Sequence, residues 1–296
     1  MKVAVILSTY NAPDRLAPTL VGYAAQSYRD FDILIADDGS KPQTEALIAE
    51  LAERHRLRIT HVWHEDDGFR KCRIMNQAVL ATDADYLIFS DGDCIPRRDF
   101  VATHVERARR GRFLSGGYFK LPRETSAKID EAAILDGRAT DPKWLVANGV
   151  PRTLKLSKLW AHGWQAAWLN ALTPTRASWN GHNASGWRTD ILRVNGFDER
   201  MVYGAEDREF GERLMNVGIR GVQIRYSAIC VHLYHDRPYR TAEGQAHNRQ
   251  IRQRTLREKL TWTAHGIVKA PSSTEAQFDD ARPAPDVRIR RFGPQS

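Results

Sequence analysis

The sequence predicts an α/β fold: one domain built on a mostly parallel sheet with helices on both faces, followed by a helical basic tail. Three observations carry this. Short apolar, β-rich runs alternate with stretches of helical spacing from residue 3 to residue 90, which is the pattern of a parallel sheet. Three of those runs end in polar, turn-forming clusters at residues 8–13, 37–40 and 91–93. In an open parallel sheet such clusters gather beyond the carboxyl ends of the strands, where ligands bind. The chain has 296 residues, 42% hydrophobic and 27% charged, enough to bury a full core.

The elements follow in order. Residues 3–8 form a strand that breaks at Ser8-Thr9-Tyr10-Asn11-Ala12-Pro13. From Asp14 to about Gln26, Leu16, Leu20 and Ala24 recur at helical spacing. Residues 31–36 form a second strand, closed by Asp37-Asp38-Gly39-Ser40, and a helix carrying Ala46, Leu47 and Leu51 follows. Residues 57–63 form a third strand, and 71–82 a helix with Ile74, Ala78 and Val79 on one side. The run Tyr86-Leu87-Ile88-Phe89-Ser90 is a buried strand that ends on Asp91-Gly92-Asp93. A later strand at 222–231 ends on Val231-His232-Leu233-Tyr234-His235.

Residues 152–172 carry Leu159, Trp160, Trp164, Trp168, Leu169 and Leu172 at helical spacing, with Arg152, Lys155 and Lys158 just upstream. Such a helix packs on the core, forms a lid over sugars, or lies in a membrane interface; core or lid packing is preferred here. Residues 243–262 read as a basic helix with Ile251, Leu256 and Leu260 as its few apolar points. Residues 271–296, rich in Ser, Pro, Asp and Arg, have little to bury and are expected to be largely disordered. The expected units are a catalytic domain at 1–240, with halves at 1–115 and 116–240, a basic extension at 241–270 and a tail at 271–296.

Composition narrows the function. No apolar run approaches the roughly 20 residues of a membrane helix, and the run at 3–7 is too short for a signal-peptide core. Cys72, Cys94 and Cys230 show no paired or metal-like spacing, so reduced thiols and a cytoplasmic protein are expected. The net charge is +8. Residues 237–296 hold 12 Lys/Arg against 6 Asp/Glu, which reads equally as a solvated helical tail or as a patch for an anionic partner. Neither Gly-x-Gly-x-x-Gly nor a P-loop occurs, which disfavours a dinucleotide fold and a P-loop NTPase.

Asp91 and Asp93 offer hard oxygen donors at the lip of a crevice. Such donors suit Mg²⁺ or Mn²⁺ held jointly with substrate phosphates. Alone, Asp-Gly-Asp reads as a strand-end turn. The surrounding motifs alter that balance. Val5-Ile6-Leu7-Ser8-Thr9-Tyr10-Asn11, then Asp37-Asp38-Gly39-Ser40, then Asp91-Gly92-Asp93, resemble in order and spacing the inverting family 2 glycosyltransferases with the A-type fold. His64-Glu65-Asp66-Asp67-Gly68-Phe69-Arg70 with Asn76-Gln77-Ala78 resembles bacterial chondroitin-polymerase-type domains. In those domains an arginine precedes the asparagine. Met75 stands here instead, so the arginine's contact comes from Arg73 or is absent. The second half, with Asn180-Gly181-His182-Asn183-Ala184-Ser185-Gly186 and Tyr203-Gly204-Ala205-Glu206-Asp207, is similar to the β-1,4-galactosyltransferases. Tyr203 replaces their tryptophan, which puts the acceptor contact in doubt. The resemblance covers roughly residues 3–240.

The resemblance implies a metal-dependent, inverting transfer of a sugar from a nucleotide-sugar, UDP-linked by family habit, to a glycan or lipid-linked saccharide of lipopolysaccharide or capsule, at the inner face of the plasma membrane. Peripheral contact with an anionic membrane is allowed for, and no nucleic-acid partner is expected. Asp38 accepts from the uracil N–H, and Ser8 and Tyr10 flank the base and ribose. Asp93 ligates the metal with His235 opposite. His232 is a second candidate ligand, and Asp91 faces the ribose or, through water, the metal. Histidine ligands favour Mn²⁺ over Mg²⁺. At least one of Arg70, Lys71 and Arg73 reaches the diphosphate. Asp207 is the general base, and Glu206 binds acceptor hydroxyls; acids also suit the start of a helix, which Asp207 to Met215 resembles. Trp179, Asn183 and Trp187, in or beside the 180–186 loop, are assigned to the acceptor. The rivals are a sugar-nucleotide-forming nucleotidyltransferase, which needs a glycine-rich basic loop that residues 8–13 lack, and a non-catalytic glycan-binding protein.

Overall fold

The computed structural model describes residues 1–236, 240–269 and 281–294. Its main sheet has eight strands in the order β11-β3-β2-β1-β4-β8-β6-β9. These are β1 (Val3–Thr9), β2 (Asp32–Asp37), β3 (Ile59–Trp63), β4 (Tyr86–Asp91), β6 (Arg112–Ser115), β8 (Ala184–Trp187), β9 (Arg220–Gln223) and β11 (Arg288–Phe292). A three-stranded sheet joins β5 (Cys94–Pro96), β10 (Ile229–His232) and β7 (Gly117–Lys120). Strand β1 pairs in parallel with β2 and β4, and β2 with β3. Strand β8 runs antiparallel to β4 and β6, and β11 antiparallel to β3.

The period of two along the central strands builds a core on each face. Val3, Val5, Leu7, Ile33, Ile35 and Ile88 pack on one side with Leu16, Leu20, Ile48 and Phe100. These come from helices α1 (Pro13–Ala24), α2 (Pro42–Arg54) and α4 (Phe100–Arg107). Ala4, Ile6, Leu34, Ala36, Leu87 and Phe89 pack on the other with Ile74, Ile191 and Phe210. There the helices are α3 (Lys71–Leu80), α10 (Arg188–Arg193) and α11 (Glu206–Asn216). A third cluster covers the small sheet with Phe119, Ile134, Leu145 and Val231. It includes side chains of the short helices α6 (Glu131–Leu135) and α7 (Pro142–Ala147), which follow α5 (Arg123–Ser126).

Expectations for three segments are corrected. The strand placed at 222–231 is two strands, β9 and β10, in different sheets; a turn at 224–228, closed by Ser227 N–H and Ala228 N–H on Ile224 O, separates them. The helix expected through 152–172 breaks into α8 (Ser157–Trp160) and α9 (Gly163–Leu172), the second opened by Gly163 at φ 51. The first piece packs on the core through Leu159, but α9 does not: Ala166 is its only buried residue. Of the tail expected to be disordered, 288–292 form β11, whose backbone pairs with β3 from Arg288↔Trp63 to Phe292↔Ile59. Backbone hydrogen bonds of an edge strand hold it, with Phe292 as its contact with the core, which composition could not reveal. The rest of that expectation, at 271–280 and 295–296, lies outside the described residues. The basic helix α12 (Ala242–Glu258) forms as expected, but Leu256 is exposed, and Asn248 and Thr255 supply its buried contacts.

Candidate active site

The carboxyl ends of β2, β1 and β4 lie side by side, with Thr9 opposite Asp37 and Ser8 opposite Asp91. This register brings the three polar clusters to one edge. Asp37 is fully buried and structural: it accepts from Ser40 N–H at 2.8 Å and contacts His61 Nε2 at 2.8 Å. Asp38 lies at the lip. Its Oδ1 is 2.7 Å from His64 Nε2, and its Oδ2 accepts from the Arg70 amide at 2.9 Å. Each oxygen keeps a second lone pair. Arg73 donates to His64 Nδ1 at 2.7 Å, which places the His64 proton on Nε2, facing Asp38. Arg73 also donates twice to Asp286, each at 2.8 Å. It therefore acts behind Asp38, and of the three cations considered for the diphosphate it is one that is turned away. The Arg70 side chain is turned to Glu65 O and Asp67. Tyr10, half exposed, donates to Asp66 Oδ2 at 2.8 Å.

Lys71 is the cation that enters the crevice. It opens α3, and its Nζ lies 2.7 Å from Asp91 Oδ1, which also accepts from Ser8 Oγ at 2.8 Å. Burial opposes charge on Lys71, yet Asp91, Asp207 and Glu206 together hold its pKa well above the ordinary lysine value. Burial likewise opposes charge on Asp91, and Lys71 overrides it, drawing that carboxyl far below the usual range.

Asp93 meets two histidines from the end of β10. His235 Nε2 is 2.9 Å from Asp93 Oδ2, and His232 Nε2 is 3.7 Å from Asp93 Oδ1. In both rings Nδ1 is bound to a backbone carbonyl: His232 to Leu233 O at 2.7 Å, His235 to Asp236 O at 2.8 Å. A carbonyl only accepts, so each Nδ1 carries a proton, and in the neutral ring the Nε2 lone pair faces Asp93. Lone pairs converging on a carboxylate are the donor set of a divalent cation, and the carbonyl bonds are the outer contacts that fix ligand tautomers. The residues present fit Mn²⁺ or a similar ion. Cys94 Sγ also lies within reach of Asp93 and His232, but burial, then Cys230 and Asp93, push its thiol pKa up, which disfavours the thiolate a metal needs.

Glu206 and Asp207 begin α11, within the field of Lys71. Gly204 at φ 117 and Ala205 at φ 66 both take positive angles to make that turn. An alanine held there is strained, a cost accepted where a side chain must be aimed. Gly204 N–H donates to Glu206 Oε2 at 2.7 Å. A side chain at Gly181 would collide with Asp207, its Cβ 2.8 Å from Oδ1, so the glycine loop is what lets the backbone lie against that carboxylate. Burial, then the neighbouring Asp207, push Glu206 up to about 7. Burial, then Asp91, raise Asp207 too, with Lys71 opposing.

The three acceptor assignments around the 180–186 loop are corrected. Trp179 is 0% exposed and packs against Phe89, Phe113 and Phe210 at 5.3, 5.6 and 4.8 Å between ring centres. It has no free face for a sugar. Asn183 is fully buried and spends its amide on Gly117 O, Ala228 O and His104 Nε2. Trp187 pairs with Tyr86 at the start of β4, about 17 Å along the strand from Asp91, under the Arg110 guanidinium at 3.6 Å. Sequence reasoning missed His182, which lies between these residues. Its ring meets Tyr118 at 4.3 Å, and burial pushes its pKa down to about 4 beside Asp91, His232 and Asp93. A histidine between Gly181 and Asn183, in the loop that meets Asp207, was the available signal.

Comparison with known proteins agrees with this geometry. Residues 4–129 match the family model described as "Glycosyl transferase family 2". The chondroitin synthase of Escherichia coli is 25% identical over 227 residues, 73% of this chain and 32% of that protein. The mannosyltransferase PcManGT from Pyrobaculum calidifontis, solved in complex with GDP-Man and Mn²⁺, superposes with a TM-score of 0.54 at 22% identity, covering 86% of this chain and 61% of that one. S. aureus TarS 1-349, in complex with UDP-GlcNAc, superposes with a TM-score of 0.53 at 14% identity, over 81% and 60%. The chain spans from about a third to about two-thirds of the length of the curated relatives it matches. The chain thus has the glycosyltransferase A-type fold of these solved structures, and residues 4–129, less than half of it, match the family 2 glycosyl transferase model.

Proposed function

We propose that this protein is a metal-dependent, inverting glycosyltransferase. It moves a sugar from a UDP-sugar to a hydroxyl of a glycan or lipid-linked saccharide, in the assembly of bacterial lipopolysaccharide or capsule on the cytoplasmic side of the membrane. The observation that supports this reading is that two groups converge on Asp91 and Lys71: Asp93 with the His235 and His232 rings, and the Glu206–Asp207 pair with raised pKa values.

Each residue has a task. Asp38 accepts from the base N–H, and Tyr10 and Ser8 flank the base and ribose. Asp93, His235 and His232 would hold Mn²⁺, which as a Lewis acid neutralises the departing diphosphate. Lys71 adds a second positive charge on that side, and His182, kept neutral by burial, offers a hydrogen bond without repelling it. Asp207 takes the proton of the acceptor hydroxyl while Glu206 binds a neighbouring hydroxyl. The acceptor oxygen bonds to the anomeric carbon as the bond from that carbon to the diphosphate oxygen breaks. Base and leaving group on opposite faces give inversion. Two carboxyls with raised proton affinity are poised for proton removal near neutral pH.

PcManGT was solved with GDP-Man and TarS with UDP-GlcNAc, so one fold serves both bases. The test incubates the protein and Mn²⁺ with UDP-, GDP-, dTDP- and CMP-sugars and measures nucleotide release. Release from UDP-sugars alone, abolished by chelation, supports the reading. Release only from another nucleotide class removes the uridine assignment, and release unaffected by chelation removes the metal.

A further inference from the structure

The tryptophan-bearing segment of α8 and α9 is held firmly and faces outward. Arg97, 5% exposed, donates to Leu159 O and Ala161 O at 3.2 and 3.1 Å, fixing the turn between the two helices. Asn170 grips the 226–227 turn, donating to Ser227 Oγ at 2.9 Å and accepting from Tyr226 N–H at 3.0 Å. Against this polar anchorage the apolar side chains point to water. Trp164 is 77% exposed, Trp168 61%, Trp160 49%, Leu172 58% and Leu154 95%. Exposed apolar area of this extent on one segment marks an interaction surface.

Charge specifies the partner. From residue 142 to residue 189 the chain contains no Asp or Glu, while Lys143, Arg152, Lys155, Lys158 and Arg176 fall within it. Beside the tryptophans lies a groove of about 810 Å³ lined by Pro142, Lys143, Val146, Arg152, Leu154 and Trp160. Indole rings favour the boundary between lipid headgroups and acyl chains, and cations beside them favour anionic headgroups. No described helix is long and apolar enough to cross a membrane, so contact of this kind would lie in the plane of the interface. The surface is continuous with the crevice wall: Lys158 lies over the Tyr118 ring, which meets His182 and His232.

We infer that the α8–α9 face docks this protein onto an anionic lipid bilayer, with Trp160, Trp164 and Trp168 in the interface and Arg152 and Lys155 on the headgroups. The test needs no enzymatic activity. The full chain is sedimented with phosphatidylcholine vesicles with and without about 30% phosphatidylglycerol. Binding is expected only to the anionic vesicles, with a blue shift of tryptophan emission and loss at high salt. W164A/W168A, which removes exposed rings and leaves the fold and melting temperature intact, weakens binding by about tenfold or more. R152E/K155E removes the preference for anionic lipid. Binding that survives both variants would assign the contact to basic α12 and overturn the inference. Absence of vesicle binding would overturn it too, as would self-association through this face that W164A/W168A abolishes without any lipid interaction.

Discussion

Lys71 Nζ lies 2.7 Å from Asp91 Oδ1, and its field reaches Asp91, Glu206 and Asp207 together. In the proposed mechanism it couples the donor side of the site to the acceptor side. Lys71→Met therefore changes two observables. The donor KM rises and kcat falls, together by about 10²-fold, as a charge-assisted contact is lost. The acidic limb of the pH–rate profile also moves up, because Lys71 is what opposes the raised pKa of both carboxyls. Loss of rate with no change in that limb would mean that Lys71 serves the donor alone.

Proton removal sets the pH dependence. The base works only when ionised, and burial raises both carboxyls, Glu206 up to about 7. Activity is thus low at acid pH and rises with pH above the ordinary carboxylate range as the pair loses its proton, giving apparent values that belong to the pair. Asp207→Asn keeps size and hydrogen bonding but cannot accept a proton. It lowers kcat by about 10²–10⁴-fold while nucleotide binding persists. Comparable turnover in this variant would remove Asp207 as the base.

Trp179 belongs to the core, and its replacement is a stability experiment. Trp179→Ala leaves a cavity among Phe89, Phe113 and Phe210 and costs about 3–5 kcal/mol. Chemical denaturation measures this directly. A normal unfolding midpoint with a raised acceptor KM would restore the surface role that the sequence suggests.

Asp286 reaches Asp38, the proposed contact of the nucleotide base, through Arg73 and His64. The Asp286 side chain is 61% exposed, so this ion pair contributes about 1 kcal/mol at most. Asp286→Ala is expected to weaken nucleotide binding by less than about fivefold and to speed proteolysis of the C-terminal segment. A larger loss of binding would show that β11 positions Asp38 more strongly than one exposed pair can.

The donor side was legible because strand-end motifs report their own position. Ser8, Asp38, Asp91 and Asp93 follow apolar runs, and a parallel register puts such ends together. Asp207 and Glu206 were legible as acids opening a helix. The side chains of the 180–186 loop were not. Trp and Asn suit a sugar and a core equally, and what decides is packing from distant elements: Phe210 against Trp179, His104 against Asn183. Among Arg70, Lys71 and Arg73 sequence could not choose, because a helix start rotates neighbours to different sides; only Lys71 turns to Asp91. Strand β11 escaped notice because an edge strand needs backbone pairing more than apolar residues. Its Arg288 and Arg290 reach Glu45.

The central claim is that Asp93, with His235 and His232, binds a divalent ion that in turn holds the nucleotide. The most direct measurement is calorimetric titration of UDP into wild-type protein and Asp93→Ala, each with and without Mn²⁺. The account predicts that Mn²⁺ strengthens UDP binding to wild type by about tenfold or more and leaves the variant unchanged. Equal UDP affinity with and without the ion in wild type, or a Mn²⁺ effect that persists in Asp93→Ala, would contradict it.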